Sequence, residues 1–157
     1  MAQNIELGGG ESPLEGYQNM DARYGNDMTK PWEIESDSID DIHSREFIEH
    51  ISYLKIEDVL KEAYRVLKIG GRFSFSCPDF EKLIERFNSK PNEEELVYLR
   101  RSILGDGTTE FDYHRNIIWF DYIKELMEKI GFKEVKRLDQ EAGFKQSTKL
   151  NVEGYKL

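Results

Sequence analysis

Three consecutive glycines, Gly8-Gly9-Gly10, follow the short apolar entry Ile5-Glu6-Leu7, and Asp21 ends a second short run thirteen residues after Gly8. Glycines at a strand end let the backbone approach a ligand closely, because no Cβ intervenes and positive φ costs little. A lone glycine cluster reads first as a tight turn. Asp21 shifts that reading, since in nucleotide-binding sheets a carboxylate at the end of the second strand accepts hydrogen bonds from ribose hydroxyls. Further along, Glu49-His50 either orients a substrate and moves a proton or simply ties down a loop. Tyr113 and His114 are polar aromatics able to touch a substrate and Arg115 can hold an anion bidentately, a solvated loop being the alternative. The three histidines and single cysteine stand too far apart for metal-ligand spacing, so no metal is expected. Neither a Ser-His-Asp pattern nor a phosphate loop is present.

These residues need a scaffold of strands and helices. Asn4 to Leu7 reads as a buried strand, Tyr17 to Met20 as a second and Ile39 to His43 as a third, with Ala22 to Asp37 as loop. Ile56, Leu60, Ala63, Tyr64 and Leu67 fall at spacings of three and four, and Gly70 is placed to end that helix. From Arg72 to Cys77, Phe73, Phe75 and Cys77 alternate with Ser74 and Ser76, the period of a strand. Helical spacing returns at Phe80 to Phe87, at Leu96 to Ile103 after Pro91, and from about Phe120 to Ile130 before Gly131. Val135 to Leu138 and Thr148 to Leu157 read as two strands with no helix between them, hence an antiparallel pair. Strands alternating with helices and closing on that pair predict an α/β sheet, mostly parallel with one reversed strand at or near its edge.

Composition narrows the function. A chain of 157 residues forms one domain and excludes a second catalytic one. The apolar fraction of 38% and 19 aromatic residues require a folded core. A formal charge of -9 argues against capture of a long nucleic acid, which depends on Lys and Arg neutralising phosphates, and favours a small acceptor. One cysteine, Cys77, cannot form an internal disulfide, and no apolar run has the length of a membrane span or signal peptide, so a cytoplasmic location is expected.

Taken together, Ile5 to Gly10, Asp21, Phe47-Ile48-Glu49-His50-Ile51 and Arg65-Val66-Leu67-Lys68-Ile69-Gly70-Gly71 resemble a class I S-adenosylmethionine-dependent methyltransferase of the small, type 11-like kind. The resemblance covers nearly the whole chain, ending in Ser147 to Lys156 as the family's last strand. It departs at Ile69, where proline is usual, and in the first crossover: Gly8 to Gly16 is nine residues, below the roughly 10 to 12 of a complete one. The family's third strand is abbreviated or absent.

The resemblance implies a Rossmann-like sheet and S-adenosylmethionine as cofactor, held by Glu6, Gly8, Gly9, Gly10, Asp21, Asp27, Met28 and Ser44. Trp32 is equally a packing aromatic. His43, Ser44 and Arg45 would lie where the sulfonium opens toward the acceptor, and His50, Tyr113 and His114 would carry catalysis on a small molecule or sugar. The missing helix suggests two more possibilities: a noncatalytic binding module that keeps the fold, and a homodimer through the apolar sheet face beside Gly8 to Tyr17 or through the helix rich in Leu96, Leu99 and Ile103. An NAD-dependent oxidoreductase is disfavoured, because the dinucleotide pattern's third glycine is lacking.

Overall fold

In the computed structural model, residues 3–138 and 148–157 are described. Helix α1 (Ile56–Val66) buries Ile56, Val59, Leu60, Ala63 and Val66 along one stripe. Each larger side chain so withdrawn from water contributes about 1.5–3 kcal/mol. The chain then passes directly into a strand, β4 (Leu67–Pro78). Gly70 therefore does not cap the helix, contrary to the sequence expectation. It takes φ +85° where the register of β4 jumps from Leu67 to Arg72, and its N–H donates to the Lys156 carbonyl at 2.6 Å.

The other strands are β1 (Asn4–Leu7), β2 (Gln18–Met20), β3 (Ile39–Arg45), β5 (Lys133–Arg137) and β6 (Lys149–Tyr155). Together the six form one sheet in the order β2-β1-β3-β4-β6-β5. The first four are mutually parallel, and β6 runs antiparallel to both β4 and β5. The single reversed strand thus stands next to the edge, as the sequence predicts. Helices α2 (Phe80–Asn88) and α3 (Glu93–Leu104) follow β4, and α4 (Phe120–Ile130) precedes β5. A reciprocal capping box between Asn92 and Glu95 starts α3, after Pro91.

Between β1 and β2 the chain crosses over in a loop without a helix. Glu6 holds that loop: its fully buried carboxylate accepts from Leu14 N at 2.6 Å and pairs with Arg45 Nε at 2.7 Å. From Asp21 to Ser38 the described chain forms one 3-10 turn, Ala22–Tyr24, and no strand. Arg65 secures this stretch from α1. Its guanidinium donates to the Ile34 and Trp32 carbonyls and to Ser36 Oγ while paired with Glu62, whose carboxylate accepts from Trp32 N.

Side-chain alternation divides the sheet into two unlike faces. Ile5, Leu7, Ile42, Phe73, Phe75, Leu150 and Val152 point into the core, which also contains buried residues of α1 and α4. Opposite lie Glu6, Asp41, His43, Arg72, Ser74 and Glu153. They are tied by Arg72 Nε to Asp41 (2.6 Å), Tyr17 Oη to Asp41 (2.6 Å), His43 Nδ1 to Ser74 Oγ (2.9 Å) and Lys136 to Glu153 (3.1 Å). A fully parallel sheet normally covers both faces with apolar packing. Here the second face is a ladder of hydrogen-bonded polar groups, so the argument that an uncovered apolar face demands a dimer loses its ground.

Candidate functional site

A cavity of about 630 Å³ opens at the carboxyl ends of β1, β2 and β3. Because β2 lies on one side of β1 and β3 on the other, this is the switch point of the sheet, the place where open α/β sheets bind ligands. Gly8, Asp21, Asp27, Met28, Glu46, Phe47, His50, Phe111 and Arg115 are among its lining residues. Thus Gly8, Asp21, Asp27, Met28 and His50, five of the residues singled out in the sequence, meet at one opening.

Their local geometry explains the residue types. Gly8 has φ +68°, and a Cβ there would stand 2.5 Å from Phe47 Cδ2. Only glycine allows the Phe47 ring to close onto the β1 turn. Asp21 caps the 3-10 turn by accepting from Arg23 N at 2.8 Å and anchors the glycine loop by accepting from Gly10 N at 3.0 Å. A carboxylate offers about four acceptor sites, so these two bonds leave about two unused. Thr29 N and Oγ1 donate to Asp27, and these bonds with Lys30 beside it hold its carboxyl below the usual range. Trp32 lies buried in the core and donates from Nε1 to the Met28 carbonyl at 3.0 Å, fixing the segment that presents Met28.

Other expected residues stand elsewhere. Gly9 and Gly10 do not border the cavity, and neither does Glu6, whose carboxylate is committed to Leu14 and Arg45. Ser44 sits on the core face of β3 between Leu7 and Phe75, with its buried hydroxyl lacking a partner among the described residues. Tyr113 is 53% exposed; it contributes its carbonyl, which accepts from His50 Nδ1 at 3.2 Å. His43 faces the polar side of the sheet and Arg45 pairs with Glu6. Sequence reasoning missed Phe47, Phe111 and Glu46 as cavity walls. Glu46 alone left a backbone signal, φ +49°, visible only in the structure.

Beside the cavity, Glu49 and His114 converge on the lining residue His50. The 3-10 turn Ile48–His50 carries Glu49 and His50. The Glu49 carbonyl accepts from Arg115 N at 2.8 Å and Asn116 N at 3.1 Å, which brings His114 over the turn. The His50 and His114 rings meet edge to face at 4.7 Å, and His114 Nε2 lies 4.0 Å from Glu49 Oε1. Burial pushes the Glu49 carboxyl well above its ordinary range and lowers both imidazoles, so all three favour their neutral forms.

Residues 15–75 match the model of a methyltransferase domain family. An S-adenosylmethionine-dependent methyltransferase from Thermotoga maritima superposes with TM-score 0.61 at 20% identity, over 100% of this chain and 83% of that one. Another from Archaeoglobus fulgidus gives 0.65 at 11% identity, over 99% and 86%. Phosphoethanolamine N-methyltransferase 2 of Haemonchus contortus, in complex with S-adenosyl-L-methionine, gives 0.55 at 17%, over 88% of this chain and 35% of that one. These likenesses establish the fold. No curated protein matches the sequence.

Proposed function

We propose that this chain is a class I S-adenosylmethionine-dependent methyltransferase domain that holds its cofactor in the cavity at the ends of β1, β2 and β3 and methylates a small molecule there. The observation that carries the reading is the convergence of Gly8, Asp21, Asp27, Met28 and His50 from separate segments on one opening at the switch point. The residues fit the group: Gly8 lets Phe47 close onto the β1 turn and wall the cavity, Asp21 has acceptor sites left over for ribose hydroxyls, and Met28 supplies an apolar wall for a base.

Bound S-adenosylmethionine supplies an electrophilic methyl on a good leaving group, so the chain's own task is mostly positioning. Phe47 and Phe111 give the acceptor end apolar walls, and Arg115 presents a cation there. His50 is a neutral imidazole at the cavity edge. Its Nδ1–H donates to the Tyr113 carbonyl, which leaves Nε2 able to take a proton from an acceptor hydroxyl or amine. Tyr113 orients this base through its backbone.

Calorimetric titration with S-adenosylmethionine and with NAD tests the reading. Micromolar or tighter binding of the former alone is the expected result. Heat with NAD alone would move the chain to dinucleotide chemistry, and silence with both at millimolar ligand would leave a noncatalytic module.

A further inference from the structure

Glu49 is 2% exposed, and neither carboxylate oxygen has a hydrogen-bond partner among the described residues. Burial without donors disfavours its charged form, and a cation bound there would offset the lost hydration. What faces it is a pair of imidazoles. One ligand-capable atom from each of Glu49, His50 and His114 lies within 4.8 Å of the other two.

Both rings are already in the tautomer that a metal requires. A carbonyl oxygen can only accept, so His50 Nδ1, at 3.2 Å from the Tyr113 carbonyl, and His114 Nδ1, at 2.9 Å from the Ser102 carbonyl, each carry the proton. That leaves the two Nε2 lone pairs unprotonated, with the ring orientations fixed by backbone, the arrangement that supports metal-bound histidines.

From this geometry we infer that Glu49, His50 and His114 bind one divalent transition-metal ion of the zinc class beside the cavity, behind its lining residue His50. Two imidazoles and one carboxylate suit zinc and its neighbours, whereas calcium and magnesium prefer sets made of oxygen. Three protein ligands leave a coordination position open, and of the three His50 borders the cavity. A tetrahedral ion with bonds near 2.0–2.1 Å needs its ligand atoms about 3.3 Å apart. His114 Nε2 and Glu49 Oε1 stand 4.0 Å apart, so ion binding requires the side chains to draw together. The sequence conceals the site because His114 stands 64 residues beyond His50.

The ion site does not depend on the cofactor reading, but an ion bound there takes the His50 Nε2 lone pair, so His50 serves as a base only in the metal-free protein. If a hydroxyl acceptor occupies the open position, the ion also makes its proton easier to remove.

The test is titration of chelator-treated protein with Zn²⁺ in a calorimeter and with Co²⁺ by visible absorption. One ion per chain is expected, with a Kd of micromolar or tighter and Co²⁺ bands of low coordination number. Glu49→Gln and His114→Gln should each weaken binding at least tenfold, while His43→Gln, the histidine on the polar sheet face, should leave it unchanged. Should either ligand variant fail to fold by circular dichroism, His50→Gln at the cavity edge makes the same comparison. No binding at tens of micromolar, or binding that survives in the ligand variants, overturns the proposal. S-adenosylmethionine affinity, measured on the same metal-free samples, stands or falls separately.

Discussion

Asp21 carries two duties, and separating them sets the sharpest expectation for a single residue. Its oxygens hold Gly10 N and Arg23 N, so Asp21→Ala removes a cap and should cost about 0.5–2 kcal/mol of stability. Cofactor affinity should fall by roughly ten- to a hundredfold, since a hydrogen bond to a charged group contributes about 1.5–3 kcal/mol. Asp21→Asn keeps an acceptor for the cap but not the charge. It should recover most of the stability in urea denaturation and little of the affinity in calorimetry, whereas parental affinity in the Asn variant would remove Asp21 from the ribose. The place of this residue at the cavity was legible because a carboxylate at a strand end is a local pattern. That of Glu6 was not: its neighbours Leu14 and Arg45 are set by the crossover loop and by β3, neither of which a local pattern reveals. His114 reaches Glu49 only through backbone bonds spanning more than sixty residues of chain, beyond the reach of any spacing rule.

At the scale of elements, what replaces the third strand is a loop held by one guanidinium. Arg65 donates to two carbonyls and a hydroxyl in addition to Glu62, a set that a lysine ammonium cannot span. Arg65→Lys should therefore lower stability by about 1–3 kcal/mol, read as a reduced urea midpoint at unchanged m-value. An unchanged midpoint would show that Trp32 to Ser36 holds its place without the clamp. Helices α1, α2, α3 and α4 were readable from period alone; the stripes of α1 and α4 face the core, whereas α2 and α3 bury only Leu83 and Leu99. The end of α1 was misplaced at Gly70, since Leu67 continues the apolar spacing while already pairing with Ile39 in the sheet. Local periodicity cannot distinguish a last helical residue from a first strand residue.

For the whole molecule, the two unlike sheet faces are the main structural departure. The alternation of Phe73, Ser74, Phe75 and Ser76 already carried the information: a strand covered on both sides reads as continuously apolar, and this one does not. Any self-association must therefore use another surface. Helices α2 and α3 expose Ile84, Phe87, Val97, Ile103 and Leu104, while Leu99 is buried within the fold. We expect a dimer through that apolar surface, with light scattering at micromolar concentration giving twice the chain mass and Phe87→Asp with Leu104→Asp returning it to one. A single-chain mass for the parent protein would end the dimer expectation.

The central claim is that the cavity at the ends of β1, β2 and β3 is the cofactor site, and amide-resolved nuclear magnetic resonance during titration with S-adenosylhomocysteine tests it most directly. Saturable shifts should concentrate at Gly8, Asp21, Asp27, Met28 and His50, while amides of β5 and of the polar sheet face at Ser74 and Glu153 stay still. Shifts centred on that polar face, or none at millimolar ligand, would contradict the account.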